Sequence, residues 1–281
     1  MLSGKTSLIG ILGWPVEHSF SPAIHNAAFS ALNLNYAYVP LPTKAEHLHQ
    51  AIHGLIAMGF RGANVTIPHK VAVLKYLDEI DPIAKTIGAV NTIKIEDGKT
   101  IGYNTDAEGF VKSLQNKDIE IQDSNVIILG AGGAARAIVC GLLNYGTSQV
   151  SVVARSAEKA ANFANSIKSH RVSGLAWDDK QFNYLLSGAN IVINSTPIGM
   201  SPIIDNEPAI NWKIVNRKAV ICDLIYNPLR TKFLTRATQL GHITVSGDGM
   251  LVEQGALAFE LWTGNSAPRH IMYDTLSKAL S

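Results

Sequence analysis

A chain of 281 residues is long enough for two domains with substantial cores, and 47 % hydrophobic residues mark it as globular rather than disordered. Its formal net charge of +2 is too balanced to argue for nucleic acid or an anionic membrane surface as a partner. Cys140 and Cys222 form no C-x-x-C pair and no apolar run approaches the roughly 18 residues of a membrane span, so a reduced cytoplasmic compartment is the simplest home.

The N-terminus, Lys5 followed by Leu8-Ile9-Gly10-Ile11-Leu12-Gly13, has a faint signal-peptide look. It lacks a small-x-small cleavage site and runs at once into Trp14-Pro15-Val16-Glu17-His18, so a first buried strand over 7–12 is expected. Helix 22–33, strand 36–40, helix 44–58, strand 62–66 and helix 68–77 follow, then a short helix near 81–87. Strands 89–95 and 99–103 flank Glu96-Asp97-Gly98 as a hairpin, and a helix runs from about 106 to 116. The second half reads helix 133–145 and strands 149–154, 190–194, 218–222 and 242–246 with helices between them. A helical tail covers 250–262 and 268–280. Strand–helix alternation of this kind indicates a parallel α/β fold. A boundary near 106 and a tail that crosses back give a substrate-binding domain of 1–105 with 248–281, and a nucleotide-binding domain of 106–247.

The nucleotide assignment rests on Val126-Ile127-Ile128-Leu129-Gly130-Ala131-Gly132-Gly133-Ala134-Ala135, an apolar strand running through G-x-G-x-x-A into a helix. Gly130 permits the turn, Gly132 bares backbone to a pyrophosphate, and Ala135 lets helix pack on strand. A glycine-rich turn that binds nothing is the plainer alternative. About 20 residues beyond the glycines, an NAD site needs an Asp or Glu for the ribose. Arg155 stands there instead, with Ser156 and Lys159, and a guanidinium suits the 2′-phosphate of NADP(H).

In the first half, His18-Ser19-Phe20-Ser21-Pro22 places Pro22 at the first helical position and Ser21 at the N-cap. Capping alone explains Ser21; an anion site with Ser19 is the alternative. In Asn64-Val65-Thr66-Ile67-Pro68-His69-Lys70, Asn64 and Thr66 share a strand face, and Lys70 falls in the first turn of the next helix, where the dipole disfavours a cation. That placement lowers the lysine pKa and suits it to acid–base work. Thr105 and Glu108 read as a capping box, and Asp106 becomes catalytic only if it has a partner, for which Lys70 is the candidate. His47, His49 and His53 share a helix without an H-E-x-x-H pattern and read as a surface face, so no metal is expected.

These segments, with Gly88-Ala89-Val90-Asn91-Thr92, Asn104-Thr105-Asp106, Asp223-Leu224-Ile225-Tyr226-Asn227-Pro228 and Gly247-Asp248-Gly249-Met250-Leu251-Val252-Glu253-Gln254, resemble the shikimate dehydrogenase family, in order and over nearly the whole chain. The resemblance implies NADPH-dependent reduction of 3-dehydroshikimate to shikimate. It implies that Ser19 and Ser21 bind the substrate carboxylate, and that Asn64, Thr66, Asn91 and Gln254 hold ring hydroxyls with Tyr226 nearby. Lys70 and Asp106 match the catalytic pair, and Leu224 and Gly247 match positions near the nicotinamide. The family's N-R-T-x-x-R loop is here Ala154-Arg155-Ser156-Ala157-Glu158-Lys159, which keeps the basic pair and loses the Asn. An NAD-using quinate/shikimate dehydrogenase and a non-catalytic shikimate sensor are the alternatives. A monomer or homodimer with no nucleic-acid or membrane partner is expected.

Overall fold

The computed structural model describes residues 2–280, which divide into two compact units. One comprises the chain up to Gly109 together with Val252–Ala279, and the other Phe110–Leu251. The division falls inside two continuous helices rather than at 106 and 248.

The first unit opens with β1 (Ser7–Gly13), α1 (Ser21–Ala31), β2 (Tyr36–Pro42), α2 (Leu48–Ala57) and β3 (Gly62–Val65). Next come β4 (Glu79–Ile80), α3 (Pro82–Ile87), β5 (Thr92–Glu96), β6 (Lys99–Tyr103) and the start of α4 (Asp106–Gln115). The strands form a six-stranded sheet in the order β2-β1-β3-β5-β6-β4. It is not parallel throughout. β1 pairs in parallel with β2 and β3, whereas β5 runs antiparallel to both β3 and β6. The two-residue Asp97-Gly98 connection imposes the antiparallel pairing of β5 with β6. One face packs Leu12, Leu48, Ile52, Leu55, Val65 and Ile93 into a core. At about 1.5–3 kcal/mol for each fully buried large aliphatic side chain, this face alone resists local opening.

The second unit contains β7 (Asn125–Leu129), α5 (Gly133–Asn144), β8 (Gln149–Ala154), α6 (Ala157–Ile167) and β9 (Val172–Ala176). It continues with α7 (Lys180–Gly188), β10 (Ile191–Asn194), β11 (Val220–Asp223), α8 (Lys232–Gln239) and β12 (Thr244–Val245). All its pairings are parallel, in the order β12-β11-β10-β7-β8-β9, the doubly wound arrangement of dinucleotide-binding domains. Both faces are apolar, with Ile128, Ile138 and Val152 in one core and Ile127, Leu186 and Phe233 in the other. Strand β9 is not among the sequence expectations, because Val172-Ser173-Gly174-Leu175-Ala176 is short and interrupted by residues of weak β-propensity. It exists through edge pairing with β8.

The chain closes with α9 (Gly247–Thr263) and α10 (Arg269–Leu280). Within the first unit, Phe259 of α9 stacks on Phe29 at 5.2 Å, and Trp262 Nε1 donates to the Ile93 carbonyl at 2.9 Å. Arg269 of α10 donates to the buried Glu253 carboxylate at 2.9 Å, which fastens the two helices together. No helix among the described residues is long and apolar enough to cross a membrane.

Candidate active site

Lys70 does not sit in a helix. The segment 68–71 is a turn, and only a short 3-10 turn, Ala72–Tyr76, replaces the expected helix 68–77. The carbonyls a helix would need are already taken: Ile67 O accepts from Trp14 N–H at 3.0 Å and Lys70 O from Val90 N–H at 2.8 Å. The buried His69 ring is bonded to the Thr43 carbonyl at 2.7 Å. The helix-dipole argument for Lys70 therefore lapses. What the turn does is aim Lys70 at Asp106, with Nζ 2.6 Å from Oδ2.

Asp106 is 5 % exposed, and its other oxygen accepts from Asn91 Nδ2 at 2.9 Å. Asn91 also donates to Thr105 Oγ1 at 2.9 Å and to Gln254 Oε1 at 3.3 Å, and its Oδ1 accepts from the Thr105 backbone N–H at 2.8 Å. One buried amide thus ties the hairpin, α4 and α9 to a common point. The Thr105 N–H that a capping box would give to Glu108 goes to Asn91 Oδ1. Asn104 Oδ1 takes the N–H groups of Asp106 at 3.1 Å and Ala107 at 3.4 Å, while Thr105 turns its hydroxyl to Asn91.

Asn64 lies opposite Thr92 in the β3–β5 register and donates to Thr92 Oγ1 and Asn91 O, each at 3.1 Å. Thr66 follows the end of β3 and is half-buried. Ser21 is the first residue of α1 rather than its cap. Phe20 occupies the cap position, and Ser19 Oγ accepts the Ser21 N–H at 3.2 Å. Both serines therefore stand at a helix start, the setting that favours an anion.

Sequence patterning misses Gly109 of α4. A Cβ built there meets Gln254 N at 2.6 Å and Gln254 Cβ at 2.8 Å, so α4 and α9 cross in backbone contact. Gly109→Ala is expected to push the helices apart, cost roughly 1–3 kcal/mol of stability and displace Gln254 from Asn91. Thermal melts and KM measured together check this, and an unchanged Tm with unchanged KM would remove the crossing from the argument.

In the second unit, Gly130 has φ +112° and a Cβ there meets Ser195 Oγ at 2.7 Å, so the turn after β7 admits no side chain. Gly132 and Gly133 are exposed, and a Cβ at either meets nothing within 4 Å. Gly132 is the N-cap of α5 and no side chain caps it, while Ala135 is 0 % exposed against the core. Open space before uncapped helix N–H groups is what a pyrophosphate needs, so these residues fit a dinucleotide. Arg155, Ser156 and Lys159 are exposed just beyond β8, with Ser156 capping α6 through the Lys159 N–H at 3.2 Å. Leu224 and Gly247 lie so close that a Cβ on Gly247 would collide with the Leu224 carbonyl oxygen. Tyr226 is half-buried in the same unit, and burial raises its pKa.

Asp223 organises the loops after β10 and β11. It is 1 % exposed and accepts from Asn194 Nδ2 at 3.0 Å, Ile225 N–H at 3.1 Å and Thr231 Oγ1 at 2.8 Å. Burial outweighs these donors and pushes its pKa up to about 6. A carboxyl whose pKa is raised on folding favours the folded state below its unfolded pKa, and loses that contribution as pH rises through the folded value. Asp223→Asn, which keeps the shape without the charge, is therefore expected to match the wild type near pH 4 and to exceed it by about 2–3 kcal/mol near pH 8. Melting curves of both proteins across that range check the sign.

Comparison with known proteins decides what these parts belong to. The model of the shikimate dehydrogenase substrate binding domain matches residues 11–93, that of shikimate/quinate 5-dehydrogenase matches 112–228, and that of the shikimate 5′-dehydrogenase C-terminal domain matches 247–276. The chain belongs to the shikimate dehydrogenase family. The shikimate dehydrogenase (NADP(+)) of Methanocaldococcus jannaschii is 47 % identical over 267 residues, 94 % of each chain. A crystal structure of shikimate dehydrogenase in complex with NADP+ superposes with a TM-score of 0.93 at 43 % identity, covering 100 % of this chain and 98 % of that one. The Thermus thermophilus shikimate 5-dehydrogenase, in complex with NADP(H) and shikimate, gives 0.89 at 34 % identity over 98 % of this chain and 100 % of its own.

Proposed function

We propose that this protein catalyses the reversible NADP(H)-dependent interconversion of 3-dehydroshikimate and shikimate, a step toward aromatic amino acids. The observation that carries the reading is the Lys70–Asp106 contact at 2.6 Å, set beside the neutral hydrogen-bonding side chains of Asn64, Asn91 and Gln254. Neutral polar groups around one paired cation suit a ring rich in hydroxyls that carries one carbonyl to be protonated.

Bound NADPH supplies the hydride that adds to the C3 carbonyl carbon. Lys70 Nζ gives a proton to the oxygen that becomes negative and ends as the neutral amine; oxidation of shikimate runs the same transfer backwards. Asp106 holds one Lys70 N–H on Oδ2 and orients the ammonium, and Asn91 holds Asp106 in turn through Oδ1. Ser19 and Ser21 bind the substrate carboxylate, and Asn64, Thr66, Asn91 and Gln254 fix ring hydroxyls, with Tyr226 contributing to substrate binding. On the cofactor side, Gly130 would shape the turn, its own N–H being taken by Val153 O, while the backbone of Ala131, Gly132, Gly133, Ala134 and Ala135 would hold the pyrophosphate. Arg155, Ser156 and Lys159 would hold the 2′-phosphate, and Leu224 and Gly247 would lie near the nicotinamide. Both cysteines are buried and unpaired, which agrees with a reducing compartment, and the reading places the protein in the cytoplasm as a monomer or homodimer.

The test is the steady-state oxidation of shikimate and quinate with NADP+ and NAD+ side by side. Shikimate with NADP+ is expected to give the highest kcat/KM. A preference for quinate with NAD+ selects the broader dehydrogenase, and binding of shikimate without turnover selects the sensor.

A further inference from the structure

Tyr38 of β2 is not among the residues assigned so far. It is 2 % exposed, and its hydroxyl donates to Asn64 Oδ1 at 2.7 Å with the Ser21 hydroxyl alongside. Asn64 has already given both amide hydrogens, to Asn91 O and Thr92 Oγ1. With Tyr38 on one lone pair of Oδ1, a single acceptor site remains for anything outside the protein. Asn64 can therefore accept from a hydroxyl but has nothing left to donate.

The support beneath Tyr38 is as well defined. His25 is 0 % exposed and lies flat on the Tyr38 ring, centroids 4.5 Å apart and planes 5° apart, with Trp262 tilted against it at 5.5 Å. Neither His25 nitrogen has a hydrogen-bond partner among the described residues, and burial lowers its pKa to about 3. His25 is thus a neutral aromatic plate rather than a proton carrier.

We propose that Tyr38 is a positioning residue that sets substrate selectivity: its hydroxyl locks Asn64 as an oriented acceptor, so the site selects a ring that presents a hydroxyl donor at that point. The inference rests on the shikimate reading. Shikimate and the analogues lacking its 4- or its 5-hydroxyl are the probes, compared in wild type, Tyr38→Phe and His25→Phe.

Tyr38→Phe is expected to raise KM for shikimate roughly tenfold with kcat little changed, from the loss of one buried hydrogen bond. The preference for shikimate over one of the two deoxy analogues should shrink by the same factor, while the other preference holds. His25→Phe keeps the plate and should keep both preferences. Unmoved preferences in Tyr38→Phe, or equal shifts in His25→Phe, overturn the proposal. Should Tyr38→Phe fail to fold, 3-fluorotyrosine at the same position keeps the shape and strengthens the donor; a wider preference supports the proposal and an unchanged one overturns it. Absence of shikimate turnover in the wild type overturns the functional reading and this one with it, whereas turnover with unmoved preferences overturns this one alone.

Discussion

Lys70→Ala is expected to lower kcat by roughly 10²–10⁴-fold, the usual contribution of a positioned proton donor, with little change in the KM for shikimate. The asymmetry follows from the site. Asn64, Asn91 and Gln254 are held by bonds that do not involve Lys70, so ground-state binding survives. In the proposed mechanism the proton for the developing alkoxide has no equivalent source: Asp106 accepts from Lys70 and Asn91, and the two amide hydrogens of Asn91 are already shared among Thr105, Asp106 and Gln254. Lys70→Arg should rescue poorly, because the planar fork cannot reproduce the single 2.6 Å contact and guanidinium does not release its proton. Single-turnover reduction followed at the NADPH absorbance separates chemistry from release. Turnover of Lys70→Ala within a few-fold of wild type would take Lys70 out of the mechanism.

Arg155→Ala is expected to weaken NADP(H) by roughly ten- to a hundredfold, since hydrogen bonds to a charged group contribute about 1.5–3 kcal/mol, and to leave the KM for NAD+ nearly unchanged. The position supports this. Val153 O accepts from Gly130 N–H at 2.8 Å, so the end of β8 lies against the phosphate turn, and Arg155 follows it by two residues. Buried Ala154 stands where the resemblance expects an Asn, so the proposed preference would rest on Arg155 and Lys159 with the Ser156 hydroxyl. Ser156 caps α6, so Ser156→Ala should cost stability as well as affinity, whereas Arg155 is exposed and its removal should leave Tm unmoved. Binding of 2′,5′-ADP by calorimetry isolates the phosphate contribution. Equal losses for both cofactors would show that Arg155 does not read the 2′-phosphate.

The parts of the site written in short, local patterns are readable without coordinates. G-x-G-x-x-A between an apolar strand and a helix requires only neighbouring residues, and β7, α5 and β8 lie where that pattern places them. The hairpin around Asp97-Gly98 and the tail helices α9 and α10 follow equally from turn chemistry and period. Local rules fail where a side chain or carbonyl has a distant competitor. Ser21 and Thr105 are good caps by residue type, yet Ser19 and Asn104 supply the oxygens, and Thr105 serves Asn91. Pro68 looks like a helix start, yet Trp14 and Val90 claim the carbonyls on either side of it.

Amino-acid order alone determined the alternation of strand and helix, the glycine-rich turn between β7 and α5 and the residue types on offer, because each depends on residues close together in the chain. Tertiary structure decided which of those residues meet. Lys70 and Asp106 are 36 positions apart, Asn91 and Gln254 are 163 apart, and Tyr38 reaches Asn64 across 26. Such contacts are set by sheet register and by how closely two helices can cross at a glycine, and a polar group buried there bonds to whatever the packing brings within 3 Å or so.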